Sequence, residues 1–188
     1  MILTIPQSIV NLKIHTIADL TSPAMNNVYF DKENNQAVAT DGHTLFWIDI
    51  NLKEIEGSFG LNRDDLKGIK FGCSLDTETK ILEFPEDKKG SKRHKRVVEM
   101  SSDYKYPNYK QAIPKHKTVY RISLSSESLR RLSEMAKQNK NSRTQNVILS
   151  FSKSGLSPVM MDYKDNSGGY QKGLIMPCRE LEQDVGLL

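Results

Sequence analysis

The histidines and cysteines, the side chains most typical of zinc sites, are few and widely spaced. There are six of them: His15, His43, His94, His116, Cys73 and Cys178. Zinc sites take their ligands from closely spaced pairs of histidine and cysteine, and no two of these six have that spacing. Asp41 and His43 are close together, but no serine or cysteine lies in an elbow-type motif that would make it a nucleophile. The sequence therefore predicts no metal, no cofactor and no enzyme activity.

Positive charge is concentrated in one part of the chain. The 188 residues have a formal net charge of +4. Residues 1–87 have a net charge of −7, residues 88–143 of +12, and residues 144–188 of −1. Such a block is typical of proteins that bind a polyanion, although a solvated loop has the same composition.

Two groups of cations form this block. The basic run, residues 88–96, has six lysines and arginines in nine positions. It suits salt-sensitive, sequence-independent contact with phosphates, or it is a hairpin loop kept soluble by its charge. The second group lies on a predicted helix, where Leu129 and Leu132 mark the apolar stripe. The predicted DNA contacts are Lys67, Lys70, Lys88, Lys89, Lys92, Arg93, Lys95, Arg96, Arg130, Arg131, Lys137 and Lys140.

Three copies of one βαβββ pattern are predicted to position these side chains. Each copy begins with a short strand, continues with an amphipathic helix and ends with two or three strands. The copies cover about residues 1–50, 58–114 and 119–178. The residues at the expected helix starts are Pro6, Asn62 and Ser125. The pattern predicts an α+β fold in which antiparallel sheets carry the helices on one face.

Two hairpins are specified in more detail. Asp41 and Gly42 predict a two-residue type I′ turn, because both tolerate the positive φ angles that this turn requires. Residues 167–169 predict a second hairpin. In the second copy, a helix is expected at residues 64–69 and strands at residues 80–84, 96–100 and 109–113.

Three motifs give the chain a family resemblance. Residues 38–45, V-A-T-D-G-H-T-L, closely resemble the V-A-T-D-G-H-R-L segment of the bacterial sliding clamp, the beta subunit of DNA polymerase III. Residues 106–109 and 113–115, Y-P-N-Y and I-P-K, resemble the F-P-D-Y…P-K segment of that family. Residues 174–179, L-I-M-P-C-R, resemble its closing V-V-M-P-M-R. The three motifs occur in the family's order.

The resemblance implies a DNA-clamp-like fold. Residues 1–117 resemble the family's second domain, which has two βαβββ half-domains. Residues 118–188 resemble one further half-domain, the last half of the third domain, followed by a tail. In the family, paired half-domains close into a ring whose helices line a basic channel around duplex DNA. A basic helix face would then make weak phosphate contacts that carry no sequence information.

The same motifs imply a pocket for short peptides. The family forms this pocket between its second and third domains, and its partners carry Gln-led, Leu-ended peptides. Carried over motif by motif, the pocket residues are Met25, Thr40, Gly42, His43, Leu45, Pro114, Leu174, Ile175, Met176, Pro177, Cys178 and Arg179. Aliphatic walls with a methionine suit such a ligand, unless these residues only complete a hairpin and a strand. Thr44 stands where the family usually has arginine, which removes one long polar wall.

The expected function is that of a non-enzymatic, sliding-clamp-like processivity factor in bacterial or phage DNA replication. Its expected partners are double-stranded DNA and DNA polymerase or other clamp-binding proteins. Two alternatives stay open. One is a clamp-like regulatory protein that binds partner peptides without encircling DNA. The other is a DNA-binding phage transcription accessory protein that acts through the basic run.

Expectations for assembly and location rest on the same features. Three half-domains leave one without a partner inside the chain, which would expose apolar surface and a sheet edge. A homo-oligomer is therefore expected, with a ring-forming tetramer, a dimer joined through the odd halves and a monomer as the competing states. The absence of a membrane-length apolar run and of a signal-like N-terminus predicts a cytoplasmic protein with no membrane partner. Two cysteines fit a reducing compartment.

Overall fold

The computed structural model describes residues 1–17, 22–102, 105–113, 122–137, 147–151, 157–164 and 170–178. The chain divides into two units, unit 1 (Met1–Pro114) and unit 2 (Lys115–Leu188). Every strand pair among the described residues is antiparallel, and helices are few. The predicted domain boundary at residues 117 and 118 lies outside the described residues.

Unit 1 contains two antiparallel sheets. Its strands are β1 (Ile2–Ile5), β2 (Asn27–Asp31), β3 (Gln36–Thr40), β4 (Leu45–Asp49), β5 (Phe59–Asn62), β6 (Cys73–Asp76), β7 (Ile81–Pro85), β8 (Arg93–Val97) and β9 (Met100–Ser101). One sheet has the order β1-β6-β7-β8 and the other β4-β3-β2-β5-β9. A short helix, α1 (Gln7–Asn11), follows β1, and 3-10 helices cover Leu12–His15, Pro23–Asn26 and Tyr109–Gln111.

The first strands of the two copies in unit 1 are exchanged between the sheets. β1 belongs to the first copy but pairs with β6 of the second, with Ile5 opposite Cys73. β5 belongs to the second copy but pairs with β2 of the first, with Phe59 opposite Phe30. The first copy therefore adds β1 to the sheet of the second, and the second copy adds β5 and β9 to the sheet of the first.

The core of unit 1 lies against the strand faces that carry alternate apolar residues. Phe30 and Phe59 are buried, and their rings stack with centroids 4.7 Å apart. Ile9 and Val10 bury the apolar side of α1 in the same core. Other buried members are Leu3, Ile5, Leu12, Val28, Leu61, Leu66, Ile69, Leu75 and Leu82. Since burying one such side chain contributes roughly 1.5–3 kcal/mol, this continuous core holds both sheets together.

The predicted helix at residues 64–69 is wrong. The backbone there makes successive turns, in which the N–H groups of Asp65, Lys67 and Ile69 donate to carbonyls three residues earlier. Gly68, with a φ of +82°, takes the chain out of helical backbone. The apolar spacing still identifies buried positions, because Leu66 and Ile69 are both in the core.

Two strand predictions in the second copy are also corrected. The segment 96–100 is not one strand, because the chain leaves the sheet at the end of β8 and enters the other sheet as β9. The segment 109–113 begins with a 3-10 helix instead of a strand. Tyr109 explains this difference, because its buried ring and its hydroxyl, which donates to Asp31 at 2.9 Å, fix the segment locally.

The described part of unit 2 has one helix and one sheet. α2 (Ser126–Lys137) precedes β10 (Val147–Ser150), β11 (Val159–Lys164) and β12 (Tyr170–Ile175), which pair in that order. The pairing of β11 with β12 confirms the second predicted hairpin. The turn of that hairpin, at residues 167–169, lies outside the described residues.

α2 begins at a serine cap, as predicted. The Ser125 hydroxyl accepts a hydrogen bond from the Ser128 N–H at 3.3 Å. The helix packs on the sheet at Leu132, directly over Gly173, where a Cβ would lie 2.9 Å from Leu132 Cδ2. Gly173 therefore lets α2 approach β12 closely. In the described part of unit 2, the buried apolar residues are Val159, Met161 and Ile175.

Candidate peptide-binding and DNA-binding surfaces

An open groove in unit 2 runs between α2 and the end of β12. Its volume is about 510 Å³. The residues that line it are Ser125, Ser128, Arg131, Leu132, Leu174, Ile175, Met176, Pro177 and Cys178. Leu174 and Met176 are 55% and 59% exposed, so the groove presents apolar surface to solvent.

The groove brings together predicted and unpredicted residues. Five of the predicted pocket residues, 174–178, form its strand side. The helix side of the groove was not predicted, since Arg131 was expected to contact DNA and Leu132 to lie on the apolar stripe of the helix. Helical spacing could have identified this side, because Ser128, Arg131 and Leu132 are three or four residues apart and share one face.

The groove has the size and the apolar lining that would suit an apolar side chain. The flexible Met176 side chain can adapt to an aliphatic ligand, the leucines supply apolar surface, and Ser128 and Arg131 place polar groups beside them. Arg131 Nε already donates to Glu127 at 3.0 Å. An acidic group on a peptide would therefore compete with an existing ion pair.

The other predicted pocket residues lie in unit 1 or outside the described residues. Those in unit 1 are Met25, Thr40, Gly42, His43 and Leu45. Four of them belong to the hairpin between β3 and β4, and Met25 lies in the 3-10 helix Pro23–Asn26. Gly42 and His43 are exposed, whereas Met25 and Leu45 are half-buried. The two outside the described residues are Pro114 and Arg179.

The β3–β4 hairpin does not have the predicted two-residue turn. Four residues, 41–44, follow the last strand pair, and only Gly42 among them has a positive φ, of +84°. Asp41 holds this loop because its Oδ1 accepts from the His43 N–H at 2.9 Å and from the Thr44 N–H at 2.6 Å. The Thr40 hydroxyl donates to the Thr44 carbonyl at 2.7 Å. The motif therefore forms a loop that is held by hydrogen bonds among its own residues and that leaves His43 exposed to solvent.

The Asp41 carboxyl is expected to titrate below the ordinary aspartate pKa of 3.8. A backbone hydrogen bond from Thr44, followed by one from His43, favours the charged carboxylate and lowers its pKa. Because the folded pKa is the lower one, the loop's stabilisation is complete above about pH 4 and is lost as pH falls through the folded pKa. NMR shifts of the His43 and Thr44 amides measure this midpoint, and Asp41→Asn should remove it. A midpoint at or above 3.8 would contradict the assigned hydrogen bonds.

Thr44 has a local role in this loop. Its hydroxyl donates to Asp41 Oδ1 at 2.9 Å and lies 3.4 Å from His15 Nδ1. The His15 ring in turn stacks on Phe46, with ring centroids 3.8 Å apart. The short side chain at position 44 therefore closes the loop instead of reaching outward. The aromatic pair that results, half-buried His15 with exposed Phe46, was not expected from the sequence.

The basic run, residues 88–96, is divided between a turn and a strand. Lys88, Lys89 and Lys92 are exposed in the turn between β7 and β8. Arg93 and Lys95 alternate onto the outward face of β8, together with Glu83 of β7. Arg93 lies 3.6 Å from the Glu83 carboxylate, so part of its charge is already neutralised.

Arg96 has a structural role that the sequence did not suggest. Its Nη1 donates to the backbone carbonyls of Asp64, Asp65 and Lys67, and its guanidinium lies 5.2 Å from the Phe84 ring. The Arg96 guanidinium is therefore held within unit 1 by hydrogen bonds and by its contact with the Phe84 ring. Arg96 is therefore withdrawn from the set of proposed DNA contacts.

A second cation bonds the same 62–69 turn. Lys13 Nζ donates to the carbonyls of Leu66 at 2.8 Å and Ile69 at 3.2 Å. Burial lowers the pKa of this ammonium, which is the expected effect of partial removal from water. Lys67 in this turn and Lys70 directly after it are exposed.

The cations of α2 are largely paired within the helix. Arg130 bonds Glu127 at 2.7 Å and also bonds Glu134. Hydrogen bonds from Arg130 and then Arg131 lower the pKa of Glu127. The helix face that was expected to present basic side chains to DNA therefore has its arginines paired with glutamates of the same helix. The Lys137 side chain and Lys140 lie outside what the structure describes.

No group of three or more histidine, cysteine, aspartate or glutamate side chains within the described ranges could hold a metal ion. None of the helices in the described part of the chain is long and apolar enough to cross a membrane. Cys73 is buried and Cys178 is exposed.

Comparison with protein families and with curated proteins found no match. Solved structures did match. The DNA polymerase sliding clamp from Bacillus subtilis has a TM-score of 0.65 and 15% identity over 94% of this chain and 49% of its own. The sliding clamp from Pseudomonas aeruginosa has a TM-score of 0.63 and 14% identity over 94% of this chain and 51% of its own. The C. crescentus beta sliding clamp has a TM-score of 0.62 and 14% identity over 94% of this chain and 50% of its own.

These matches confirm the resemblance of the three motifs at the level of the fold. The chain spans about half the length of the clamps it matches. Its antiparallel sheets and few helices agree with the α+β, clamp-like class expected from the repeated pattern. The chain has the fold of a bacterial DNA polymerase sliding clamp, over about half of the length of one.

Proposed function

We propose that the chain is a non-enzymatic, clamp-like protein of DNA replication that recruits a DNA polymerase or other proteins through short peptides. The observation that carries the proposal is the open apolar groove between α2 and β12, formed by the L-I-M-P-C motif. The β3–β4 hairpin, with His43 exposed, is proposed to contact the same class of peptide. The exposed cations of both units are proposed to contact duplex DNA in a cytoplasmic homo-oligomer.

The groove has the chemistry that a Leu-ended peptide requires. Leu174 and Met176 are apolar and more than half exposed, so a bound leucine would remove surface of both partners from water. At about 25 cal/mol per Å² of buried apolar area, one inserted leucine contributes roughly 1.5–3 kcal/mol. Such a site gives modest affinity, as suits exchange among partners.

A labelled Gln-led, Leu-ended peptide tests the groove by fluorescence anisotropy. Met176→Glu is expected to weaken binding about tenfold or more, because it places a carboxylate on the apolar wall. The matched control is Val97→Glu, which introduces the same charge at an exposed valine on β8. Equal affinity of the two variants would overturn the groove assignment.

Cys178 gives an independent readout of the same binding event. It is exposed and lines the groove, so bound peptide should slow its alkylation by iodoacetamide. Cys73 serves as a silent internal control, because burial raises the pKa of its thiol to about 12. Unchanged alkylation of Cys178 at saturating peptide would place the peptide elsewhere.

Duplex DNA binding is tested by its dependence on salt. Each phosphate contact should contribute about −0.9 to the slope of log affinity against log salt. Neutralising Lys88, Lys89 and Lys92 is compared with neutralising Arg130 and Arg131. Loss of DNA binding in both variants supports the clamp-like proposal. Loss only in the first favours the DNA-binding accessory protein that acts through the basic run.

A specific observation favours the regulatory alternative. Arg130 and Arg131 are paired with Glu127 and Glu134, and α1 contains no lysine or arginine. A surface with so much internal pairing attracts phosphate weakly. Peptide binding without any duplex binding at about 50 mM salt would therefore identify a clamp-like interaction protein that does not encircle DNA.

A further inference from the structure

The first strand of the unit 2 sheet, β10, is an edge strand with an apolar sequence. It pairs with β11 on one side, and no other strand among the described residues pairs with it. Val147, Ile148 and Leu149 are 37%, 57% and 38% exposed. An exposed apolar edge of this kind is a template for pairing with another strand.

Unit 1 shows what covers the equivalent edge. β2 and β6 are the first strands after the helix or turn of their copies, as β10 is in the third copy. β2 is paired by β5, and β6 is paired by β1. In both cases the covering strand is the first strand of another copy. By analogy, the open edge of β10 is expected to pair with the first strand of another copy of the pattern, which would be a fourth copy.

Residues 122–124, where the pattern predicts the first strand of the third copy, pair on one side only among the described residues. Residues 122–124 contain an isolated antiparallel bridge between Ser123 and Cys178. This bridge is equivalent to the pairing of Gly60 in β5 with Ser101 in β9. In unit 1, the other side of β5 pairs with β2 of the neighbouring copy. Ser123 is thus aligned with Gly60, and the opposite side of residues 122–124 is equivalent to the side that β5 uses for exchange.

We propose that two copies of this chain associate by exchanging these strands, so that residues 122–124 of each chain pair with β10 of the other. The two third copies would then build the pair of sheets that unit 1 builds from its own two copies. The contact is isologous, since both chains contribute the same two segments. It does not depend on whether the groove binds peptide or the cations bind DNA.

The register follows from unit 1. Phe59 lies opposite Phe30, and Leu61 lies opposite Val28. Leu149 takes the place of Phe30, because both are the last core-facing residue before the strand ends; in β10 that face is shared with buried Met161. The proposed pairs are Ile122 with Leu149, Ser123 with Ile148, and Leu124 with Val147. Apolar residues thus meet on the core face at both ends.

Cross-linking tests this register directly. In a Cys178→Ser background, Ser123→Cys with Ile148→Cys is expected to form a covalent dimer on mild oxidation, seen as a doubled mass on a non-reducing gel. The matched control is Ser123→Cys with Ser150→Cys, which keeps the same sheet face but shifts the partner by two residues. No dimer from the first pair, or equal dimer from both, would overturn the proposed pairing.

Light scattering tests the association without cysteines. The unmodified chain is expected to approach twice its monomer mass as concentration rises. Leu149→Lys should return it to the monomer mass, because a lysine on an edge strand opposes pairing. Val97→Lys, on the exposed edge strand β8, should leave the mass unchanged. A monomer at every concentration, or equal effects of the two lysines, would overturn the proposal.

Discussion

Replacing Arg96 with methionine is expected to lower the free energy of unfolding of unit 1 by about 2–4 kcal/mol. Arg96 donates to three carbonyls of the 62–69 turn, those of Asp64, Asp65 and Lys67. Methionine retains most of the aliphatic volume but donates no hydrogen bond. Because this turn is not a helix, its carbonyls depend on side chains to replace the hydrogen bonds that a helix would supply internally.

Arg93→Met is the matched control for this prediction. It removes the same charge from the same strand, but Arg93 faces outward and makes one long ion pair with Glu83. Exposed pairs of this kind contribute about 0–1 kcal/mol. Urea unfolding followed by fluorescence of Trp47, the single tryptophan, reports on unit 1. Equal midpoints for the two variants would show that the carbonyl contacts of Arg96 do not stabilise the turn.

Replacing Tyr109 with alanine is expected to destabilise unit 1 by about 3–5 kcal/mol, the usual effect of removing a buried aromatic ring. Tyr109 is buried, and its hydroxyl donates to Asp31 at 2.9 Å and lies 3.2 Å from Gln36 Oε1. Its neighbour Tyr106 stacks on Tyr29 with ring centroids 4.6 Å apart. The Y-P-N-Y motif therefore anchors residues 106–109 to the β2–β3 face of the sheet.

Tyr109→Phe separates the ring from the hydroxyl. It should cost about 1–3 kcal/mol, because the buried Asp31 carboxylate loses a donor while the packing is kept. The unfolding midpoint is therefore expected to be highest for the unchanged protein, lower for Tyr109→Phe and lowest for Tyr109→Ala. A phenylalanine variant as unstable as the alanine variant would mean that the hydroxyl, and not the ring, anchors the segment.

The repeated pattern and the buried residues could be predicted from the sequence because they depend on local spacing. Leu66 and Ile69 are buried as their spacing indicates, although the backbone around them is a series of turns. β6 was not predicted, since C-S-L-D has too few apolar residues to stand out. The exchange of β1 and β5 could not be predicted either, because alternation identifies a strand but not its partner.

The candidate site was predicted only in part for a similar reason. Motif similarity identified Leu174, Met176 and the β3–β4 hairpin, but it carried no information about α2. Arg131 and Leu132 enter the groove through the packing of α2 over Gly173, which is a tertiary contact. The pairing of Arg130 with Glu127 and Glu134 is local and could have been read from its three- and four-residue spacing.

The exchange of first strands in unit 1 also has a consequence for synthesis on the ribosome. β1 can pair with β6 only after the chain has been synthesised beyond Cys73, the partner of Ile5. β2 can pair with β5 only after it has been synthesised beyond Phe59, the partner of Phe30. A nascent chain that ends between these partners holds an open sheet edge and an unfilled core. Contacts this distant in sequence slow folding, so unit 1 should acquire protease resistance only after β7 and β8 have emerged.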